Sequence, residues 1–307
     1  MLTHGVVLNE HRGFISLMSV EMALPTFFVI GAAKSGSTSL CALLDQHRQI
    51  YISKPKEPRY FAFSPEQQAE CQAWYQGLFE GLTDSVKAIG EGSQAYTMRP
   101  ASEDWPVPSR IAHAVPGAKL IYIVRNPIDR LVSNWKMMAR EKPEVFADFN
   151  RDIVDPAHRR LFVDRSKYWF QISAYREFFS DAQIKIVFFE DFIAHPNEVL
   201  GNCTRFLGVE DKSDWEGVEK PRNAAPAYRE RPLLSAIANF PGLRAALRRL
   251  PPALRIAARP IGWQSVNPDI RVKPSVNDSL VSELEEDMQR FLAYAGKPAN
   301  FWTLERG

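Results

Sequence analysis

Cysteine and net charge are both scarce in this 307-residue chain. The three cysteines, Cys41, Cys71 and Cys203, are odd in number and lack the spacing of a metal site. Such a set argues against a disulfide-rich fold and favours a reducing compartment. The net charge of +2 gives no strong overall attraction to nucleic acid or anionic membranes, so an anion site has to be built locally.

A long uninterrupted apolar run is also missing. The most apolar N-terminal stretch, residues 13–33, contains Glu21 and Pro25. We therefore predict neither a signal peptide nor a transmembrane helix, and we expect a cytoplasmic protein. Residues 1–24 precede the first clear secondary-structure signal and are predicted to be an N-terminal extension.

Short apolar runs alternate with helical patterns along the rest of the chain. This alternation predicts an α/β fold, in which residues 25–307 form a single P-loop-like domain. Its central sheet is expected to be five-stranded, mostly parallel and flanked by helices, because the connections are long enough for parallel crossovers. The predicted strands are residues 26–32, 49–53, 86–92, 119–124 and 184–190.

The first predicted strand leads into VIGAAKSGSTSL, which almost matches the nucleotide-binding pattern G-x-x-x-x-G-K-[ST]. Gly31, Gly36 and Thr38 fit that pattern, but Ser37 occupies the lysine position and the only lysine is Lys34. A strand that turns through glycines into a helix presents backbone N–H groups to an anion, although a plain Gly–Ser turn explains the same letters. The residues of the predicted phosphate cradle are Ser35, Gly36, Ser37, Thr38 and Ser39.

A second candidate anion site lies in KLIYIVRNPIDRLVSNW, which starts at residue 119 as a strand and continues as a helix. Arg125 ends the strand, where open α/β sheets bind ligands, and Asn126 and Pro127 suit the helix start. Ser133 is expected to point away from the core and, with Arg125, to hold a phosphate. Arg125 taken alone fits a structural ion pair equally well. The buried stripe of the helix is predicted to be Ile128, Leu131, Val132 and Trp135.

The early lysine of the loop and the motif IVRNPIDRLVSNW resemble the two phosphate motifs of sulfotransferases that use 3′-phosphoadenosine 5′-phosphosulfate (PAPS). The chain is most similar to the branch that contains the heparan sulfate sulfotransferases and many bacterial carbohydrate sulfotransferases. The matches extend over roughly residues 25–303, and the two phosphate motifs are the specific ones. The further matching sequences, in order, are KEPRYF, GEGSQAY, SKYWFQISAYREFF, IKIVFFEDFIAHPNEVLGNCTRFLGV and FLAYAGKPANFW.

The resemblance implies in-line transfer of a sulfuryl group from PAPS to an acceptor hydroxyl, without a metal. Lys34 would stabilise the leaving oxygen and the sulfuryl group, and Glu57 in KEPRYF would be the base. Residues 35–39 would hold the 5′-phosphate, whereas Arg125 and Ser133 would hold the 3′-phosphate. The acceptor is expected to be a carbohydrate or glycoconjugate, with a lipid or small natural product as the alternative.

Glu57 also has an ordinary interpretation, namely that it only pairs with Lys54, Lys56 or Arg59. Many sulfotransferases of small molecules use a histidine base, but none of the six histidines lies in a matching motif. This absence favours a glutamate base and a sugar hydroxyl.

Two departures from the heparan enzymes argue against heparan itself as the acceptor. Gly92 stands where those enzymes carry a lysine that contacts the substrate. The sequence IRVKPSV, residues 270–276, replaces their KGRxHP turn. Arg271 and Lys273 are expected to take over the contact of that turn with the nucleotide phosphates.

Two other functions compete with sulfuryl transfer. A small-molecule kinase would need a lysine directly after Gly36, which is absent. A polyanion- or membrane-binding protein would use residues 229–259, which contain seven arginines and lie within the basic segment 221–265. We interpret that segment as a basic helical insertion near the acceptor cleft, and we expect no nucleic-acid partner.

Overall fold

The computed structural model describes residues 24–101, 104–212, 214–218 and 270–304. The basic segment 221–265 and nearly all of the predicted N-terminal extension lie outside these ranges. Within the described ranges, no helix combines the length and the apolar composition that a membrane span requires.

Five strands form one sheet in the order β2-β3-β1-β4-β5, and every neighbouring pair is parallel. This confirms the predicted α/β fold and makes the mostly parallel sheet entirely parallel over the described residues. The expected fifth strand stops early, because Phe189 and Glu190 begin a helix. The strands are β1 (Phe27–Gly31), β2 (Ile50–Ile52), β3 (Ala88–Glu91), β4 (Lys119–Val124) and β5 (Ile184–Phe188).

Helices cover both faces of this sheet, and short 3-10 turns lie at Tyr60–Ala62, Gln94–Thr97, Asp164–Ser166 and Asp181–Gln183. The helices are α1 (Ser37–Leu44), α2 (Pro65–Gly77), α3 (Val107–Ala114), α4 (Pro127–Glu141), α5 (Phe149–Val154), α6 (Arg159–Phe162), α7 (Tyr168–Arg176), α8 (Phe189–Ala194), α9 (Pro196–Leu207) and α10 (Pro274–Tyr294).

Alternate side chains of each strand serve two separate cores, as the twofold period of a strand requires. In β1, Phe27 and Val29 pack with α1 and α9, whereas Phe28 and Ile30 pack with α3, α4, α7 and α10. The sheet is therefore buried on both faces, which explains why its strands are continuous apolar runs.

The strand order places the candidate site. The connection after β1 leads to β2 at one edge of the sheet, and the connection after β4 leads to β5 at the opposite edge. The crevice between the carboxyl ends of β1 and β4 is thus the switch point at which open α/β sheets bind ligands. The loop that carries Lys34 and the strand end that carries Arg125 are neighbours there.

Candidate active site

The loop from β1 to α1 uses backbone conformations that favour glycine. Gly36, directly before α1, has a φ of 94°. A Cβ atom built on it would lie 2.8 Å from the Phe189 ring, so a larger residue is excluded both by conformation and by space. No described side chain caps the start of α1. The N–H groups of the first turn and the positive end of the helix dipole therefore remain for an anion.

Lys34 lies within this loop at a φ of 69°, which is uncommon for a residue with a side chain. Its pKa is lowered, first by burial and then by the charge of Arg140, with a smaller contribution from Arg125 and an opposing one from Glu141. Lys34 consequently lies in an electropositive region that reaches both ends of α4. Residues in such backbone conformations cluster at ligand sites.

Arg125 is fixed at the end of β4 through its backbone and its side chain. The Tyr168 hydroxyl donates to the Arg125 carbonyl at 2.6 Å. The guanidinium lies 4.9 Å from the centre of the Phe189 ring and 3.5 Å from an oxygen of Asp129. This single, partly exposed ion pair is weak, so the guanidinium remains available to a phosphate.

Phe189, the first residue of α8, connects the two anion sites. Its ring packs against the Cα of Gly36 and lies beneath the guanidinium of Arg125. The sequence pattern assigned Phe189 to a buried strand and gave it no role in the site. Its position directly after β5, at the carboxyl edge of the sheet, is the signal that could have identified it.

Helix α4 starts as the sequence predicts, with the Asn126 side chain accepting from two backbone N–H groups and with Pro127 in the first turn. The four predicted stripe residues are buried. Ser133 is only partly buried and lies on the same helical stripe as Asp129 and Arg140. Lys34 interacts electrostatically with Arg140 of this stripe and with Arg125, which precedes the helix.

Glu57 lies in a set of contacts that ties it to the phosphate loop. The ammonium of Lys56 is 3.2 Å from the Ser37 hydroxyl and 3.2 Å from one oxygen of Glu57. Arg59 donates to the other oxygen at 3.2 Å, whereas Lys54 pairs with Asp45 instead. Of the three expected partners, two therefore bind Glu57.

Lys56 is the second site residue that sequence reasoning missed as a functional group. Its stem passes close to Gly92, where a Cβ atom would lie 2.9 Å from Lys56 Cε. Glycine at position 92 therefore leaves the space that Lys56 needs in order to reach Ser37 and Glu57.

A buried carboxylate holds the segment that follows Glu57. Glu91 is fully buried and accepts hydrogen bonds from Tyr75 at 2.7 Å, Ser93 at 2.7 Å and Tyr96 at 2.8 Å. The Ser93 and Tyr96 hydroxyls in turn accept from the backbone N–H groups of Arg59 and Phe61. Burial raises the pKa of Glu91 to about 7, and the nearby Glu57 charge acts in the same direction, against the three hydroxyls.

This raised pKa predicts a pH-dependent stability. The carboxyl of Glu91 releases its proton near pH 4.5 in the unfolded chain and near pH 7 in the folded one, so folding favours the protonated form. The stability that the protonated form contributes is therefore lost as pH rises from 4.5 through 7. The unfolding free energy of the wild type, relative to Glu91→Gln, is expected to fall by about 3 kcal/mol between pH 4.5 and 8. Urea unfolding at several pH values measures this difference in unfolding free energy, and Glu70→Gln, at an exposed carboxylate, is the control. A difference between wild type and Glu91→Gln that is independent of pH would contradict the prediction.

Arg271 and Lys273 are exposed, and the Asn150 side chain fixes their backbone. Its amide donates to the Arg271 carbonyl at 3.1 Å and its oxygen accepts from the Lys273 N–H at 2.8 Å. Among the described contacts, none joins either side chain to the phosphate loop or to Arg125. Their nucleotide-binding role stays a prediction.

Residues 24–220 match the family model of the sulfotransferase domain. The chain belongs to this family. The crystal structure of a sulfotransferase from Alicyclobacillus acidocaldarius shares the fold of this sulfotransferase domain, with a TM-score of 0.62 and 23% identity over 90% of this chain and 97% of that one.

Several curated relatives of the domain are named for heparan sulfate. The heparan sulfate glucosamine 3-O-sulfotransferase 3B1 of Homo sapiens is 24% identical over 61% of this chain and 46% of its own length. The bifunctional heparan sulfate N-deacetylase/N-sulfotransferase 4 of Mus musculus is 28% identical over 66% of this chain and 24% of its own. A membrane-associated sulfotransferase of Dictyostelium discoideum is 34% identical over 37% of this chain and 23% of its own length. The chain thus spans less than half of each of these relatives.

Proposed function

We propose that the protein transfers a sulfuryl group from PAPS to a hydroxyl of a carbohydrate or glycoconjugate. The observation that carries this proposal is the meeting of two anion-binding elements at neighbouring strand ends, with a carboxylate joined to one of them. A nucleotide with phosphates at both its 5′ and 3′ positions matches two such elements. Family membership and relatives named for heparan sulfate support the same conclusion.

The described residues fit PAPS at both phosphates. The uncapped start of α1 offers backbone donors for the 5′-phosphate, with the hydroxyls of residues 37–39 beside them. Arg125 offers a guanidinium for the 3′-phosphate, and the partly buried Ser133, on the same stripe of α4 as Arg140, would add a hydroxyl. PAPS supplies an activated sulfuryl group and leaves as adenosine 3′,5′-bisphosphate (PAP).

In this reaction Glu57 accepts a proton and Lys34 stabilises a developing negative charge. As the acceptor oxygen bonds to sulfur, Glu57 accepts the hydroxyl proton, and the bond between sulfur and the bridging oxygen breaks. Lys34 is the cation available to the negative charge that develops on that oxygen. Lys56 donates to both Ser37 and Glu57, so it sets the position of the base relative to the phosphate loop.

Transfer of a radioactive sulfuryl group tests this function. The protein is incubated with PAPS labelled with ³⁵S and with fractions of a cell extract. We expect label in a glycan fraction, released by glycosidases, and loss of the labelling in Lys34→Ala. Label confined to the lipid fraction would contradict the carbohydrate acceptor, and the absence of any enzyme-dependent transfer would contradict the sulfotransferase activity.

A further inference from the structure

A group of arginines lies near the segment that carries Glu57. Its centre is Arg165, in the 3-10 turn Asp164–Ser166. Burial, and after it the charges of Arg130, Arg160 and Arg59, lower the pKa of Arg165 to about 10. Its Nε is buried and has no hydrogen-bond partner among the described residues.

Neither Asp164 nor Glu57 forms a described ion pair with Arg165, and the buried Oδ1 of Asp164 has no hydrogen-bond partner among the described residues. Asp164, next to Arg165 in sequence, raises the pKa of Lys167 but exerts no comparable effect on Arg165. Glu57 is held by Lys56 and Arg59. Within the described part of the chain, no ion pair reaches Arg165.

Arg130 is a second arginine of this group without an acidic partner among the described residues. It is fully buried, and its described hydrogen bonds go to uncharged groups, the Ser166 hydroxyl at 2.7 Å and the Phe162 carbonyl. Burying a cation without an opposite charge is costly. A cluster of this kind destabilises the fold by itself, and such local costs are typical of binding sites.

We infer that Arg165 forms an anion subsite for the acceptor and selects acceptors that carry a carboxylate, sulfate or phosphate group. This inference rests on the proposed function. Arg59 bonds to Glu57 and interacts electrostatically with Arg165, and we therefore place the subsite in the neighbourhood of Glu57. The planar guanidinium suits two-point binding of such a group. In the proposed function, the start of α1 and Arg125 already bind the two phosphates of the nucleotide, so Arg165 is not needed for them.

Inorganic sulfate is the simplest probe of this subsite. The protein is saturated with PAP, and its melting temperature is measured in sulfate and in chloride at equal ionic strength. Sulfate is expected to raise the melting temperature of the wild type by about 2–4 °C more than that of Arg165→Gln, with Arg165→Lys in between. The control is Arg205→Gln, because Arg205 is exposed and bonds only within α9.

Two further measurements separate a binding role from a structural one. Without ligand, Arg165→Gln is expected to melt no lower than the wild type, since the substitution relieves repulsion; a structural arginine would lower it. By NMR titration, the wild type is expected to bind p-nitrophenyl glucuronide about tenfold more tightly than the uncharged p-nitrophenyl glucoside, and Arg165→Gln to bind both equally.

An equal response to sulfate in wild type and Arg165→Gln would overturn the subsite. Weaker binding of PAP by Arg165→Gln, with the sulfate response intact, would also overturn it and move Arg165 to the nucleotide site. Failure of the wild type to bind PAP would contradict the proposed function instead. The sulfate comparison without PAP would then still test Arg165.

Discussion

Lys34→Ala is expected to lower PAPS turnover by at least about 10³-fold while leaving the fold intact. Lys34 is the only cation within the phosphate loop, and no other residue of the loop can neutralise charge on the leaving oxygen. Alanine meets the same conformational cost as lysine at a φ of 69°, so the substitution adds little backbone strain. Single-turnover assays with purified protein measure the loss.

The matched control is Lys54→Ala, because the Lys54 side chain is 75% exposed and pairs with Asp45. This control is expected to keep wild-type turnover. Lys34→Arg retains the charge in a larger group and should recover part of the activity. A Lys34→Ala variant within about tenfold of wild type would remove Lys34 from the transition state.

Glu57→Gln is expected to reduce turnover by about 10²- to 10⁴-fold, the usual range for loss of a general base. Glutamine keeps the size of the side chain and an oxygen for Lys56 or Arg59, but it cannot accept the hydroxyl proton. Binding of PAP is expected to stay within about twofold of wild type, because the nucleotide contacts are made by other residues.

Glu70→Gln is the control for this prediction, since Glu70 is an exposed carboxylate on α2. It changes the net charge by the same amount and is expected to have no effect. If Glu57→Gln turned over at more than a tenth of the wild-type rate, Glu57 would be only the ion-pair partner of Lys56 and Arg59.

The sequence allowed correct predictions wherever a feature is local. The apolar run of β4, the Asn126 cap and the buried stripe of α4 depend on neighbouring residues, and the structure has each of them. Gly31 ends β1 and Arg125 directly follows β4, as the predicted strands require, whereas the roles of these residues stay predictions. The connection lengths predicted a mostly parallel sheet, and the described strands are all parallel.

The missed residues act through contacts between distant parts of the chain. Phe189 lies against Gly36, and Arg165 interacts electrostatically with Arg59, across more than one hundred residues in each case. Lys56 reaches Ser37 only because Gly92, on a third segment, leaves room for its stem. Hydrophobic periodicity does not predict such contacts, because they depend on how the strands are ordered in the sheet.

The central claim is that the crevice between β1 and β4 recognises a nucleotide through a 3′-phosphate as well as a 5′-phosphate. Calorimetric titration of PAP and AMP into the metal-free protein tests it directly. PAP is expected to bind about 100-fold more tightly than AMP, and Arg125→Ala to lose most of that preference. Equal affinities for PAP and AMP, or binding that requires Mg²⁺, would contradict the account.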